Sequence, residues 1–241
     1  MMKIICCNNY AEMSRVGADM VADVIKNKPA CVLGLATGST PEGLYAELIS
    51  KCSQGELDFS AVTTVNLDEY YPISPDNEQS YRYFMNTKLF DHVNIDKANT
   101  YVPDGSAADA AAEAARYETF VRGLGGADIQ ILGIGRNGHI AFNEPAEALH
   151  PATHVTGLTA DTIDANARFF ASADEVPTKA LTMGMGTILS AKKIIILANG
   201  KGKHEAVKAM LAGTVTTSCP ASFLNLHADV TLICDRDAYE G

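Results

Sequence analysis

The chain has little positive charge, no long apolar run and no paired-cysteine motif, and each shortage removes a class of function. Its 241 residues carry 19 Lys and Arg against 29 Asp and Glu, a formal net charge of -10. A nucleic-acid backbone would be repelled by such a surface unless cations gathered on one face, so nucleic acid is not an expected partner. Hydrophobic residues make up 47% of the chain, yet no apolar stretch approaches the roughly eighteen residues that span a bilayer, and no membrane partner is expected. The opening residues MMKIICCNNYAEM lack a long apolar core and a small-residue cleavage site, which points to a cytoplasmic protein. Cys6, Cys7, Cys31, Cys52, Cys219 and Cys234 form no CxxC pair, and four of them lie in or beside apolar runs. Reduced and mostly buried thiols are the expectation, and no Cys/His cluster has metal-ligand spacing. Repeats, low-complexity tracts and linkers are also missing, so the length is read as one compact domain.

What is present is a regular alternation. Strand-like runs rich in Val, Ile, Leu and Cys occupy Lys3 to Cys7, Ala30 to Leu35, Val62 to Leu67, Asp128 to Leu132, Lys193 to Ala198 and Val230 to Cys234. Helical spacing separates most of them, as in Met13, Val16, Met20 and Val24, and again across Ala107 to Arg122. Strands alternating with helices predict an α/β fold: a single-domain, Rossmann-like sandwich with a mostly parallel sheet and helices on both faces. Residues 147–174 are the least regular part and read either as a flap or as an ordinary surface excursion.

Ligands of open parallel sheets bind at the carboxyl ends of strands, and three such ends carry chemistry. The segment GIGRNGHIAFNEP, Gly133 to Pro145, matches the spacing of a dinucleotide fingerprint in Gly133, Gly135 and Gly138. Pro145 arrives too soon for the long helix that the fingerprint needs, and no acid-ended strand follows at the ribose-binding distance. The glycines instead read as supports for His139 and Glu144, a carboxylate placed to hold and charge the imidazole, with Asn137 to orient the pair. The segment ATGSTPEGL, Ala36 to Leu44, offers a phosphate cradle or a plain helix cap, with Thr40 as cap and Pro41 in the first turn. The segment VNLDEYYP, Val65 to Pro72, sets Asp68 and Glu69 just past a strand, either as a general base or as caps of the next turn.

Taken together these blocks resemble the glucosamine-6-phosphate deaminase family. LGLATGSTPEGLY, VNLDEYYPI with QSYRYFM, GIGRNGHIAFNEP, ARFF with VPTKALTMGMGTIL, and SFLNLHADVTLICD follow the family's order and spacing across nearly the whole chain. GHIAFNEP together with LDEY is the specific part. The resemblance implies conversion of glucosamine 6-phosphate, a small-molecule amino-sugar phosphate, to fructose 6-phosphate and ammonia, with no cofactor and no metal. It implies Asp68 as the base that moves a proton from C2 to C1, and His139 as the ring-opening group, with Glu144 and Asn137 setting its orientation. For the phosphate it implies Thr37, Gly38, Ser39 and Thr40, with Arg168 and Lys203; Lys201 competes with Lys203.

Two departures from the family pattern stand out. Many members have aspartate where this chain has Asn137, and an amide does not titrate. Larger regulated members form hexamers and carry basic residues after the NEP motif, whereas AEALHPATHVTG here has none. An unregulated monomer or small homo-oligomer is therefore expected. The rivals are a galactosamine-6-phosphate deaminase, a 6-phosphogluconolactonase and a noncatalytic sugar-phosphate sensor. A lactonase usually has arginine after its paired acids, where this chain has Tyr70, and lacks FNEP; a sensor would carry a helix-turn-helix segment.

Overall fold

The structure is a computed structural model and describes residues 2–158 and 176–241. Arg168 and the part of the expected flap from 159 to 174 lie outside the described residues. A seven-stranded parallel sheet forms the centre, built from β1 (Lys3–Cys7), β2 (Val32–Leu35), β3 (Thr63–Asn66), β5 (Thr100–Tyr101), β6 (Ile129–Gly133), β9 (Ile194–Ala198) and β10 (Val230–Asp235). Their order across the sheet is β1-β10-β9-β6-β2-β3-β5. The six strand-like runs read from the sequence are all in it, trimmed or extended by a residue or two. All residues of β2 and β9 are buried, which explains why these strands read as continuous apolar runs rather than as alternations.

From β2 the chain steps to β3 and then β5 on one side, returns to β6 on the other side of β2, and continues outward through β9 and β10. Right-handed crossovers put the helices of these two movements on opposite faces. Accordingly α1 (Tyr10–Asn27) packs against α2 (Glu42–Ser53), while α4 (Ala110–Gly123) packs against α5 (Met185–Leu189). The order reverses between β2 and β6, the switch point at which a ligand crevice opens beyond the carboxyl ends of an open parallel sheet.

A second, antiparallel sheet of order β4-β8-β7 joins β4 (Asp68–Tyr71), β8 (Lys179–Thr182) and β7 (His154–Gly157). This corrects the reading of Asp68 and Glu69 as residues of a strand-end turn, because they open β4 in register with Thr182 and Leu181 of β8. Pairing with a strand distant in sequence overrides the weak local preference of two acids for a strand. One residue links the two sheets: Leu67 donates its N–H to the carbonyl of Leu35 (3.2 Å) and accepts from the N–H of Met183 (2.8 Å). Part of the segment expected to be irregular is likewise ordered, since His154 to Gly157 pair with β8 as β7.

Candidate active site

At the switch point lies a cavity of about 310 Å³, near the lower end of the usual range for small-molecule sites. Most of its wall comes from strand ends. The turn after β2 contributes Thr37, Gly38, Ser39 and Thr40, the link from β3 to β4 contributes Leu67 and Asp68, and the loop after β6 contributes Ile134, Gly135 and His139. Lys203 closes it from the short turn that leads into α6 (His204–Leu211).

The turn after β2 is shaped as a receptor for an anion. Helix α2 begins at Glu42 with Pro41 before it, and no side chain of that turn caps it. The N–H of Gly43 is met from α1, by the hydroxyl of Tyr10 (2.8 Å), which also donates to the carbonyl of Ser39 (3.0 Å). Thr40 is therefore not the cap that its position suggested. Thr40, Thr37 and Ser39 all line the cavity, where a positive helix end suits an oxyanion.

Asp68 is 7% exposed and Glu69 1%, two adjacent carboxyl groups withdrawn from water. Burial, with repulsion from Glu69, pushes Asp68 up to about 8. Glu69 is pushed by burial up to about 7, although it accepts hydrogen bonds from the N–H groups of Tyr81, Arg82 and Tyr70. Such a raised carboxyl is typical of a group that exchanges protons near neutrality.

The loop after β6 builds the imidazole site. Nδ1 of His139 lies 3.0 Å from Oε1 of Glu144, an ion-pair distance. Asn137 donates from Nδ2 to Oε2 of Glu144 (2.6 Å), and its Oδ1 accepts from the N–H of His139 (3.2 Å). Asn137 thus contacts both members of the pair, although only His139 of the three lines the cavity. Gly135 has a specific reason to be glycine: a Cβ there would stand 2.3 Å from Cε1 of the His139 ring. Downstream, Ala141 holds the left-handed φ of 53° that turns the loop, and Nδ2 of Asn143 ties it down by donating to the carbonyls of Ile140 (3.0 Å) and Met183 (2.8 Å).

Of the two lysines, Lys203 lines the cavity and donates to the carbonyl of Ile134 (2.6 Å), whereas Lys201 is exposed and is not among the lining residues. Burial and the nearby Arg136 lower the proton affinity of Lys203. The sequence reasoning gave no role to Tyr81, the first residue of α3 (Tyr81–Lys88), which also lines the cavity with Phe142 stacked beside it at 6.1 Å. The available signal was Ser80, whose hydroxyl caps α3 by accepting from the N–H of Tyr83 (3.0 Å).

Fold and cavity together define an α/β enzyme with acid–base groups and an anion cradle at the switch point of a doubly wound sheet. The model of the family described as glucosamine-6-phosphate isomerases/6-phosphogluconolactonase matches residues 10–233, and the chain belongs to that family. A protein of Clostridium perfringens (strain 13 / Type A) named glucosamine-6-phosphate deaminase is 56% identical over 237 residues, which are 98% of each chain. A solved structure described as a monomeric glucosamine-6-phosphate deaminase superposes with a TM-score of 0.96 at 51% identity, covering 98% of each chain. The 6-phosphogluconolactonase of Trypanosoma cruzi has a TM-score of 0.80 at 24% identity, covering 100% of this chain and 97% of its own, and shares the fold.

Proposed function

We propose that the chain converts glucosamine 6-phosphate to fructose 6-phosphate and ammonia. The observation that carries this reading is the convergence of Asp68, His139, Lys203 and the Thr37 to Thr40 turn on one cavity. The relatives named glucosamine-6-phosphate deaminase, identical at more than half of their positions over almost their full length, support it.

The phosphate dianion sits in the Thr37 to Thr40 turn with Lys203 beside it, and Arg168 supplies a second cation. Local positive charge at this one place lets an acidic protein bind an acidic substrate. His139, held by Glu144 and Asn137, moves the proton between the ring oxygen and the C1 hydroxyl that opens the pyranose. Asp68 removes the C2 proton of the open chain, leaving an enolamine, and returns that proton to C1. The resulting imine at C2 takes up water; the oxygen stays as the ketone and the nitrogen leaves as ammonia. Asp68 must be ionised to begin, so turnover rises with pH through its titration.

The enzyme acts as a monomer or small oligomer, and is cytoplasmic. A monomeric relative and the six unpaired cysteines, four of them buried, fit that setting. Among the described residues no helix is long and apolar enough to cross a membrane. The test is purified protein with glucosamine 6-phosphate, following fructose 6-phosphate and ammonia, with galactosamine 6-phosphate and 6-phosphogluconolactone in parallel. No turnover of the first substrate defeats the proposal, and faster turnover of either of the others reassigns it.

A further inference from the structure

Glu69 faces away from the chemistry assigned to Asp68, yet it is the more deeply buried of the two and has the fuller set of partners. Its Oε1 accepts from the N–H of Tyr70 (2.9 Å) and of Tyr81 (2.8 Å), and its Oε2 accepts from the N–H of Arg82 (2.9 Å). The last two are the first two N–H groups of α3, which no carbonyl within the helix can satisfy. Of the other two, Tyr83 donates to the hydroxyl of Ser80 (3.0 Å) and Ser80 itself to the carbonyl of Asn77 (2.9 Å), so every free N–H of the first turn has an acceptor. Half of the helix cap is therefore supplied by the strand that carries Asp68.

The loop after β5 is pressed onto the same carboxylate, because a Cβ at Gly105 would lie 2.5 Å from the carbonyl of Tyr70 and 3.0 Å from Cγ of Glu69. Tyr81, the residue so held, lines the cavity beside Asp68, and its ring packs against that of Tyr70 with centroids 4.7 Å apart. We propose that Glu69 is a positioning residue, whose carboxylate fastens the first turn of α3 to β4 and so fixes Tyr81 and Asp68 relative to each other. This rests on the deaminase reading above and adds to it a group that never touches the substrate.

Glu69 acts on Asp68 in two ways, by geometry and by charge. Around the pair, β4 adds Tyr70, α3 adds Tyr81 and Arg82, and α4 adds Tyr117. His139 and Lys203 face the same cavity from the β6 loop and the turn before α6. Arg82 is a cation that acts on Glu69, but its guanidinium is engaged with the hydroxyl (2.8 Å) and carbonyl (2.9 Å) of Thr100. The negative charge of Glu69 therefore reaches Asp68 incompletely neutralised and raises its proton affinity.

Two variants separate reach from charge. Glu69→Asp keeps the charge but withdraws the carboxylate by one methylene; Glu69→Gln keeps the reach but loses the charge and turns an amide N–H toward a main-chain donor. Both should raise KM about 5-fold, the worth of roughly one hydrogen bond. Only Glu69→Gln should move the acid limb of kcat/KM to lower pH, by about one pH unit. A lowered kcat with an unmoved limb in both variants would show a merely structural role and overturn the proposal. Wild-type turnover is the control for the underlying function. Independently of turnover, carboxyl carbon NMR, with the Asp68 signal identified by its loss in Asp68→Asn, should show a lower titration midpoint in Glu69→Gln. An unchanged midpoint overturns the proposal whatever the substrate proves to be.

Discussion

Replacing Asp68 by Asn should abolish most turnover while making the protein more resistant to heat, and more so as pH rises. The carboxyl is nearly sealed from water and is pushed up to about 8 by burial and Glu69. In the unfolded chain it has the ordinary affinity of an aspartate. A group whose folded affinity is raised favours folding when protonated, and that contribution is lost as pH rises through the folded midpoint. Between about pH 5 and about pH 9 the linkage amounts to about 4 kcal/mol as an upper bound, and about half of that after relaxation and water penetration. Asparagine is neutral in both states and escapes this penalty. For a domain of this size about 2 kcal/mol corresponds to roughly 4 to 8 °C in Tm. The assay is thermal unfolding of both proteins across that pH range. Any cost of packing the amide is the same at every pH and cancels in the difference. A Tm gap that stays constant with pH would refute the reasoning, and so would full activity in Asp68→Asn.

Gly135→Ala should lower kcat at least about 100-fold with little change in folding, because its Cβ meets the His139 ring at 2.3 Å; circular dichroism alongside kinetics checks this. Lys203→Met should raise KM for the sugar phosphate by about 10-fold to 100-fold, the range of one hydrogen bond to a charged group, and an unchanged KM would remove it from the phosphate site. Tyr10→Phe should raise KM about 5-fold at constant kcat, since its hydroxyl only braces the anion turn through Ser39 and Gly43. Asn137→Asp should keep substantial activity with an altered pH profile, because the new group can still hold His139 but also titrates; an identical profile counts against that position being coupled to the imidazole.

Much of this molecule was legible in its sequence, for identifiable reasons. Strands buried on both faces, such as Ile194 to Ala198, announce themselves as apolar runs. The strand ends at the switch point showed themselves through residue types that apolar cores do not use, the glycines, hydroxyls and acids around His139, Thr40 and Asp68. Short peripheral strands did not. β4 begins with two acids, and β7 and β8 each have four residues, so their pairing is set by partners far along the chain rather than by local pattern. Tyr81 was missed for a similar reason. A tyrosine after Ser80 looks like any first-turn residue until Glu69, twelve positions earlier, is seen to hold its N–H. The choice of Tyr10 over Thr40 as the acceptor for Gly43 is also tertiary, since the hydroxyl arrives from another helix.

The single-residue link at Leu67 also has a kinetic meaning. Its N–H is bound by Leu35 of β2, its carbonyl by Met183 beyond β8, and β2 in turn pairs with both β3 and β6. The base therefore reaches its place only after segments from the first, middle and last thirds of the chain have come together. Loop-closure entropy makes such long-range pairings late events in folding. A nascent or partly unfolded chain has the loops of the site but not the site, and refolding followed by enzyme activity should lag behind refolding followed by helix content.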